Sequence, residues 1–304
     1  MPTISQLVAA SYAAVVSKKP ANQWAESALL RALESAGAIK RTALGSTIEA
    51  PLDYRANVGA KVLSSDTDTT STSKTDVLTT ASYAVAAISV PLVWSKQDEA
   101  MNDDSKVQLV TSLIDNALES HDDLLEQNIF VGTQNFIGLD TMVTEDGTGT
   151  IGGIVAGTDV MWKSKFQEYT NSTDIEAVMT SVWNKCAKGT GSSMTPKVLV
   201  SDAATQAVFE GTQQSNQRYV NTTELNAGFL SLAFKSSKYV FSPYGTDSVY
   251  FLNSKNYQIR VSKSMYRFRE KEVVSFDSEV YKSSVFSVLQ AITDNRSRLG
   301  VAFT

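Results

Sequence analysis

A chain of 304 residues, 42% hydrophobic and 19% charged, can fill one large core or two ordinary ones and is too apolar for a disordered tail. Its 32 acidic and 27 basic residues leave a net charge of −5, which argues against a protein whose main work is gripping phosphate backbones. A single cysteine, Cys186, and a single histidine, His121, exclude a disulfide framework and a cysteine–histidine zinc cluster, and leave one imidazole for acid–base work.

The apolar stretch Leu7–Val16 has no basic segment before it, and Lys18 and Lys19 follow it, so no targeting signal is read and an intracellular chain is expected. The longest near-apolar run, Tyr83–Trp94, contains Ser89 and Pro91 and falls short of the roughly 20 residues of a membrane-crossing helix.

Residues 1–44 hold scattered apolar positions, Pro20 and a short helix around Trp24–Ala36 that stops at Gly37, without a strong core pattern; they read as an arm. From Ile48 the period becomes two: Ile48, Ala50, Leu52, Tyr54, Ala56, Val58, Ala60 and Val62 alternate with Glu49, Asp53, Arg55, Asn57 and Lys61. This predicts one long strand over 48–62 with one buried face. Ser64–Asp76 then carries no apolar side chain, as expected of a mobile solvated tip. The returning strand from Val77 has apolar residues first at odd positions (Val77, Ala81, Tyr83, Val85) and then at even ones (Ile88, Val90, Leu92, Trp94), which predicts a bulge near Ala86 and Ala87.

At about 3.3 Å per residue the outgoing strand would reach about 50 Å, whereas a globule of this length has a radius of gyration of about 19 Å. The hairpin is expected to overhang the body. An isolated two-stranded ribbon is marginal in water, and each side chain it buries on another subunit contributes about 1–2 kcal/mol, so assembly is the expected solution.

A long helix follows over 103–131, capped by Asp103 or Asp104, with Val107, Val110, Ile114, Ala117, Leu118, Leu125 and Ile129 at three-to-four spacing and Gly132 at its end. Beyond a Gly-rich stretch, the capping box Thr173–Glu176 predicts a helix with Ile175, Val178, Val182 and Cys186 inward and Gly189 at its end. A strand at Lys197–Val200 leads through Ser201 and Asp202 into a helix ending near Gly211, so this part reads as mixed α/β. Strands are expected at 239–242, 248–252 and 258–262, and a closing hairpin is expected from 285–292 and 299–303, turned at Asp294 and Asn295.

Candidate chemistry is sparse. GTGTIG (147–152) fits the dinucleotide pattern GxGxxG, but it does not open a βαβ unit and no amphipathic helix of the needed length follows, so a glycine-rich loop is the better reading. His121, among Asp122, Asp123 and Glu126, lies beside the packing stripe of its helix and reads as structural. Cys186 reads as an inert buried thiol. Asp98, Glu99, Asp103 and Asp104 favour a helix N-terminus. Lys18 and Lys19, Lys40 and Arg41, and Arg267, Arg269 and Lys271 read as solvated faces.

The order of arm, long hairpin with polar tip, spine helix, α/β domain and closing hairpin resembles the major capsid proteins of tailed bacteriophages, with their HK97-like fold. Local motifs carry the same resemblance: Phe136-Ile-Gly-Leu-Asp140, Ile151-Gly-Gly-Ile154 with Trp162, Tyr250-Phe-Leu-Asn253 with Lys255, and Leu289 through Asn295, Arg296, Arg298 and Gly300. The resemblance implies an α+β chain with an N-terminal arm (1–44), an extended E-loop (45–94), a P domain with the spine helix (95–171), a mixed α/β A domain (172–262) and a return to the P domain (263–304).

It further implies a structural protein rather than an enzyme, with no cofactor, metal or catalytic residue. Such a protein assembles as a homo-oligomer of hexamers and pentamers into an icosahedral shell around double-stranded DNA held without sequence specificity, and expands from procapsid to mature form. The implied location is the virion, after assembly in the host cytoplasm. The E-loop residues Ile48, Leu52, Tyr54, Arg55, Val58, Lys61, Val62 and Lys74 would form the intersubunit surface. No long segment precedes the arm, so a separate scaffolding protein is expected, with a portal protein and a decoration protein as further partners. Alternatives of other kinds are an encapsulin-type compartment shell and an enzyme binding a nucleotide through 147–152.

Overall fold

The strand Val280–Thr293 is the member around which the chain is organised. Its first half alternates between buried and half-exposed positions, and from Leu289 onward every residue is buried, the pattern of a strand that starts with one covered face and ends with both covered. The computed structural model describes residues 27–53, 59–65, 68–69, 77–97, 106–133, 135–187, 194–215, 223–225, 229–274 and 279–304. Among these, Val280–Thr293 pairs antiparallel with Ala86–Ser95, Tyr257–Ser262, Phe268–Arg269 and Val273–Val274, while Ile39–Thr42 adds in parallel to Tyr257–Ser262.

The phase shift read near Ala86 is a break at Val85. Before it, Leu78–Ala84 pairs with Thr47–Asp53 in a two-stranded ribbon. After it, Ala86–Ser95 joins the large sheet along its whole length, from Leu289↔Ala86 to Val280↔Ser95. The buried residues switch from odd (Ala81, Tyr83) to even (Ala86, Ile88, Leu92, Trp94) as the ribbon becomes sheet.

The fifteen-residue strand expected over 48–62 is shorter. It runs over the seven residues Thr47–Asp53; residues 54–58 lie outside those described, Gly59 is in a turn, and Ala60–Leu63 are not in a strand. Alternation needs a covered face to become a strand, and Val62 is 95% exposed.

The spine helix is Lys106–Phe130, 25 residues long, hence about 38 Å. The expected Asp103 and Asp104 caps lie outside the described residues. Gly132 does end it: its φ of +71° suits glycine, and its N–H closes on the Asn128 carbonyl at 2.9 Å. Ile114, Ala117 and Leu118 seat the helix on Leu92, Trp94 and Val285 of the sheet.

A second sheet holds, in order, Lys165–Glu168, Gly300–Phe303, Val249–Leu252, Val198–Ser201, Ser237–Phe241, Phe229–Phe234 and Thr223–Leu225. The closing hairpin is therefore absent: Gly300–Phe303 pairs with Lys165–Glu168 and Val249–Leu252 rather than with Val280–Thr293. The turn Arg296–Arg298 is 3-10, and it passes the chain from one sheet to the other. Arg296 anchors this passage; fully buried, it donates through Nε to the Met142 carbonyl at 2.7 Å and through Nη2 to Thr144 Oγ1 at 3.1 Å.

Three helix expectations also shift. Ala28–Ser35, capped by the Ser27 hydroxyl accepting from Leu30 N at 3.1 Å, buries Leu29, Leu30, Ala32 and Leu33 completely. This stretch of 1–44 thus carries core, and each leucine contributes about 1.5–3 kcal/mol by burial. The capping box at Thr173 is replaced by a 3-10 turn over Ser172–Asp174, after which Ile175–Cys186 begins without a side-chain cap; Gly189 lies outside the described residues. Ala203–Ser215 runs past Gly211, and Asp202 caps its start, accepting from Ala204 N at 3.0 Å and Thr205 N at 3.2 Å.

The main core spans both sheets, from Leu29 and Leu33 through Leu125 and Ile129 to Val198, Ile259, Leu289 and Val301. A second core packs Ile175–Cys186 on Phe209, Tyr239, Phe251 and Ala302.

Candidate functional site

The ribbon of Thr47–Asp53 and Leu78–Ala84 alternates buried and exposed residues along both strands, and its root is built tightly. Ile48 faces Tyr83, Ala50 faces Ala81 and Leu52 faces Thr79 in register. Ile151, Ile154, Ala156, Trp162 and Ile292 close over that face. Ile48, expected on an intersubunit surface, is thus only 7% exposed within its own chain; the correction follows from the Gly152–Gly153 hairpin, which supplies the cover.

That hairpin is the GTGTIG segment. Thr150–Ile151 and Ile154–Val155 form a two-stranded turn around Gly152 (φ +60°) and Gly153 (φ +81°), the geometry of a tight β-hairpin. A Cβ on Gly152 would lie 2.7 Å from the Ala81 Cβ, and the Gly152 carbonyl accepts from Ser82 N at 3.0 Å. The glycines admit the ribbon to close contact, and the next helical element is only the 3-10 turn Val160–Trp162.

Gln290 adds a second clamp. Its amide donates to the carbonyls of Ala84 and, at 2.6 Å, Asn135, while its Oε1 accepts from Ile137 N at 3.1 Å. It therefore joins the ribbon's root to the segment carrying Phe136–Asp140. Sequence reading passed over Gln290, Tyr83 and Gly152 as site residues; a polar residue within the apolar run of a strand was the available signal for the first.

Further out, the contacts change character. Leu52 is half-buried. Lys61 lies 3.7 Å from Asp68, whose carboxylate also takes the Ser64 N–H at 2.8 Å and hydroxyl at 2.9 Å; those bonds hold Asp68 below the usual carboxylate range. Lys61 thus has a partner within its own chain. Val62 and Leu63 stand 95% and 52% exposed beside it. Tyr54, Arg55, Val58 and Lys74 lie outside the described residues.

The other singled-out residues are structural. His121 is fully buried, its Nδ1 3.2 Å from Asp122 Oδ1 and its ring edge-on to Tyr266. Arg267, read as a solvated base, is 6% exposed and pairs with Asp122. Cys186 is fully buried, and burial pushes its thiol up to about 12, which removes the thiolate on which reactivity depends. Among the described residues no group of histidine, cysteine and carboxylates has the arrangement of a metal site, and no helix is long and apolar enough to cross a membrane.

No protein-family model and no curated protein matches the chain. Solved structures do. A capsid subunit of cyanophage A-1(L) superimposes with a TM-score of 0.62 at 16% identity, over 90% of this chain and 91% of that one. The capsid of a native GTA particle gives 0.60 at 10% identity over 90% of each chain. The SrpI encapsulin of Synechococcus elongatus gives 0.55 at 9% identity, over 90% of this chain and 86% of that one. With its ribbon, spine helix and two sheets, this chain has the α+β HK97-like capsid fold.

Proposed function

We propose that the chain is a structural, non-enzymatic major capsid protein of a tailed bacteriophage, one copy of a closed shell. The observation that carries this reading is the ribbon rooted by Tyr83, Gln290 and Gly152 and carrying Val62 and Leu63 outward, on a fold shared over nine-tenths of its length with capsid subunits of a cyanophage and a GTA particle. Apolar side chains held outward on an anchored ribbon gain their burial from a neighbour. Leu52, Lys61 and Val62, with Tyr54, Arg55, Val58 and Lys74, form the intersubunit surface in this reading.

The shell consists of hexamers and pentamers around double-stranded DNA in the virion, is put together in the host cytoplasm, and expands on maturation. A scaffolding protein, a portal protein and a decoration protein are its expected partners. The encapsulin match supports one second reading, a compartment shell built of the same subunit. Electron microscopy of the concentrated protein tests both: shells, tubes or capsomers are expected, and particles that stay single at millimolar concentration overturn the assembly reading. Genes for portal and terminase beside this one favour the phage, and a gene for a cargo enzyme favours the compartment.

A further inference from the structure

Away from the ribbon, the end of helix Ala28–Ser35 and residues of the two sheets border an open cavity of about 540 Å³. Four lysines line it, Lys40, Lys197, Lys238 and Lys255, together with Ser236 and Ser254, and no carboxylate is among its lining residues. Each lysine comes from a different piece of ordered backbone. Lys40 lies in strand Ile39–Thr42 and Lys238 in strand Ser237–Phe241. The Lys197 N–H bonds the Leu252 carbonyl at 2.8 Å, and its own carbonyl accepts from Lys238 N at 2.9 Å. The turn at Lys255 is fixed by its N–H on Asn253 Oδ1 at 3.1 Å.

Four lysines line one concavity, and the chain as a whole is acidic, with a net charge of −5. Among the described residues none of the four is ion-paired; Lys238 alone has a side-chain partner, the neutral hydroxyl of Ser35 at 3.0 Å. Such a concentration of one sign in a concave site draws an anion of the other. Lysine ammoniums are compact point charges, suited to an anion that spreads two or more charges over several oxygens rather than to the planar fork that guanidinium offers a carboxylate. The volume admits more than a single small ion.

We propose that this cavity is a phosphate-binding site, taking either a phosphodiester of a nucleic acid or a free phosphate. The site lies within one chain and is independent of the shell-forming reading. Two probes separate the sources in the full-length protein, free of phosphate buffer: inorganic phosphate followed by calorimetry, and a short labelled DNA duplex followed by fluorescence anisotropy. Two double variants, Lys40→Gln with Lys255→Gln and Lys197→Gln with Lys238→Gln, are each expected to weaken binding at least about tenfold. The exposed control Lys282→Gln, on the strand Val280–Thr293, is expected to change it less than about twofold.

Phosphate binding lost in the double variants assigns the site to the free anion. Duplex binding that falls steeply with salt and is lost in the same variants assigns it to nucleic acid. Binding of neither probe, binding that survives both double variants in correctly folded protein, or an equal loss in Lys282→Gln overturns the proposal. So does capture of an acidic peptide by protein that ignores both phosphate probes.

Discussion

The Tyr83 hydroxyl donates to the Thr293 carbonyl over 2.6 Å, joining two residues 210 positions apart. One is the last inward residue of the ribbon, and the other is the final residue of the long strand. The bond is buried, and burial raises the phenol above its ordinary range. Tyr83→Phe keeps the ring and removes the donor, leaving a carbonyl with less than its full complement. A loss of about 1–2 kcal/mol in urea unfolding is expected. Tyr83→Ala, which also empties the space among Ile151, Ile154 and Trp162, is expected to cost about 3–5 kcal/mol. A Tyr83→Phe variant as stable as the original would show that the hydroxyl contributes nothing.

Gly152 and Gly153 separate two effects that usually travel together. Both have positive φ, but only at Gly152 would a Cβ meet a neighbour, the Ala81 Cβ at 2.7 Å. Gly153→Ala is expected to cost about 1 kcal/mol from backbone strain alone. Gly152→Ala adds overpacking of about 1–3 kcal/mol. Denaturation midpoints of the two variants check the order, and a Gly153 variant as damaging as the Gly152 variant would contradict it.

Alkaline pH is expected to destabilise the protein. Burial holds the Cys186 thiol up to about 12 and raises the phenols of Tyr239, Tyr257 and Tyr266. These groups keep their protons in the folded state while the unfolded chain releases them, beginning near the ordinary thiol and phenol values. Their contribution is fully present below about pH 9 and is lost as pH climbs toward the folded values. Urea midpoints should therefore fall between about pH 9 and 12, and Cys186 should react with a thiol reagent at pH 8 only after denaturation. A midpoint independent of pH across that window would count against the buried assignment.

Val62 and Leu63 are exposed and touch little of their own chain. Val62→Ser with Leu63→Ser is expected to leave the unfolding midpoint of the unassembled chain within about 0.5 kcal/mol of the original. Light scattering should show assembly slowed or abolished. Normal assembly by the double variant would remove these two residues from the intersubunit surface.

Where a single side chain has to choose a face, the sequence was informative. The odd-to-even switch at Val85 marks where the ribbon becomes sheet because strand period is two and burial follows it from Ala81 to Trp94, with Val90 half-buried. Gly132 announced the end of the spine helix for an equally local reason. Pairing partners were less legible. Gly300–Phe303 has the apolar run of a hairpin partner, but its neighbours are Lys165–Glu168 and Val249–Leu252, distant stretches whose alignment no local pattern encodes. At the ribbon's root, alternation at Ile48 and Ala50 identified a face in need of cover without saying whose; the cover came from the glycine hairpin at 152–153. Gln290 and Arg296 gave weak signals because a buried polar residue is explained by its hydrogen-bond partners, and these are remote in the chain.

The return arm of the ribbon passes into Ala86–Ser95 with only Val85 between, and Ala86–Ser95 is in turn laced for ten residues to Val280–Thr293 and carries the spine helix on Leu92 and Trp94. Among these residues only Val85 stands outside a strand. A torque applied at the far end of the ribbon is delivered, lever-fashion, to the central sheet and to the rod lying on it, so whatever grips the tip also bends the frame.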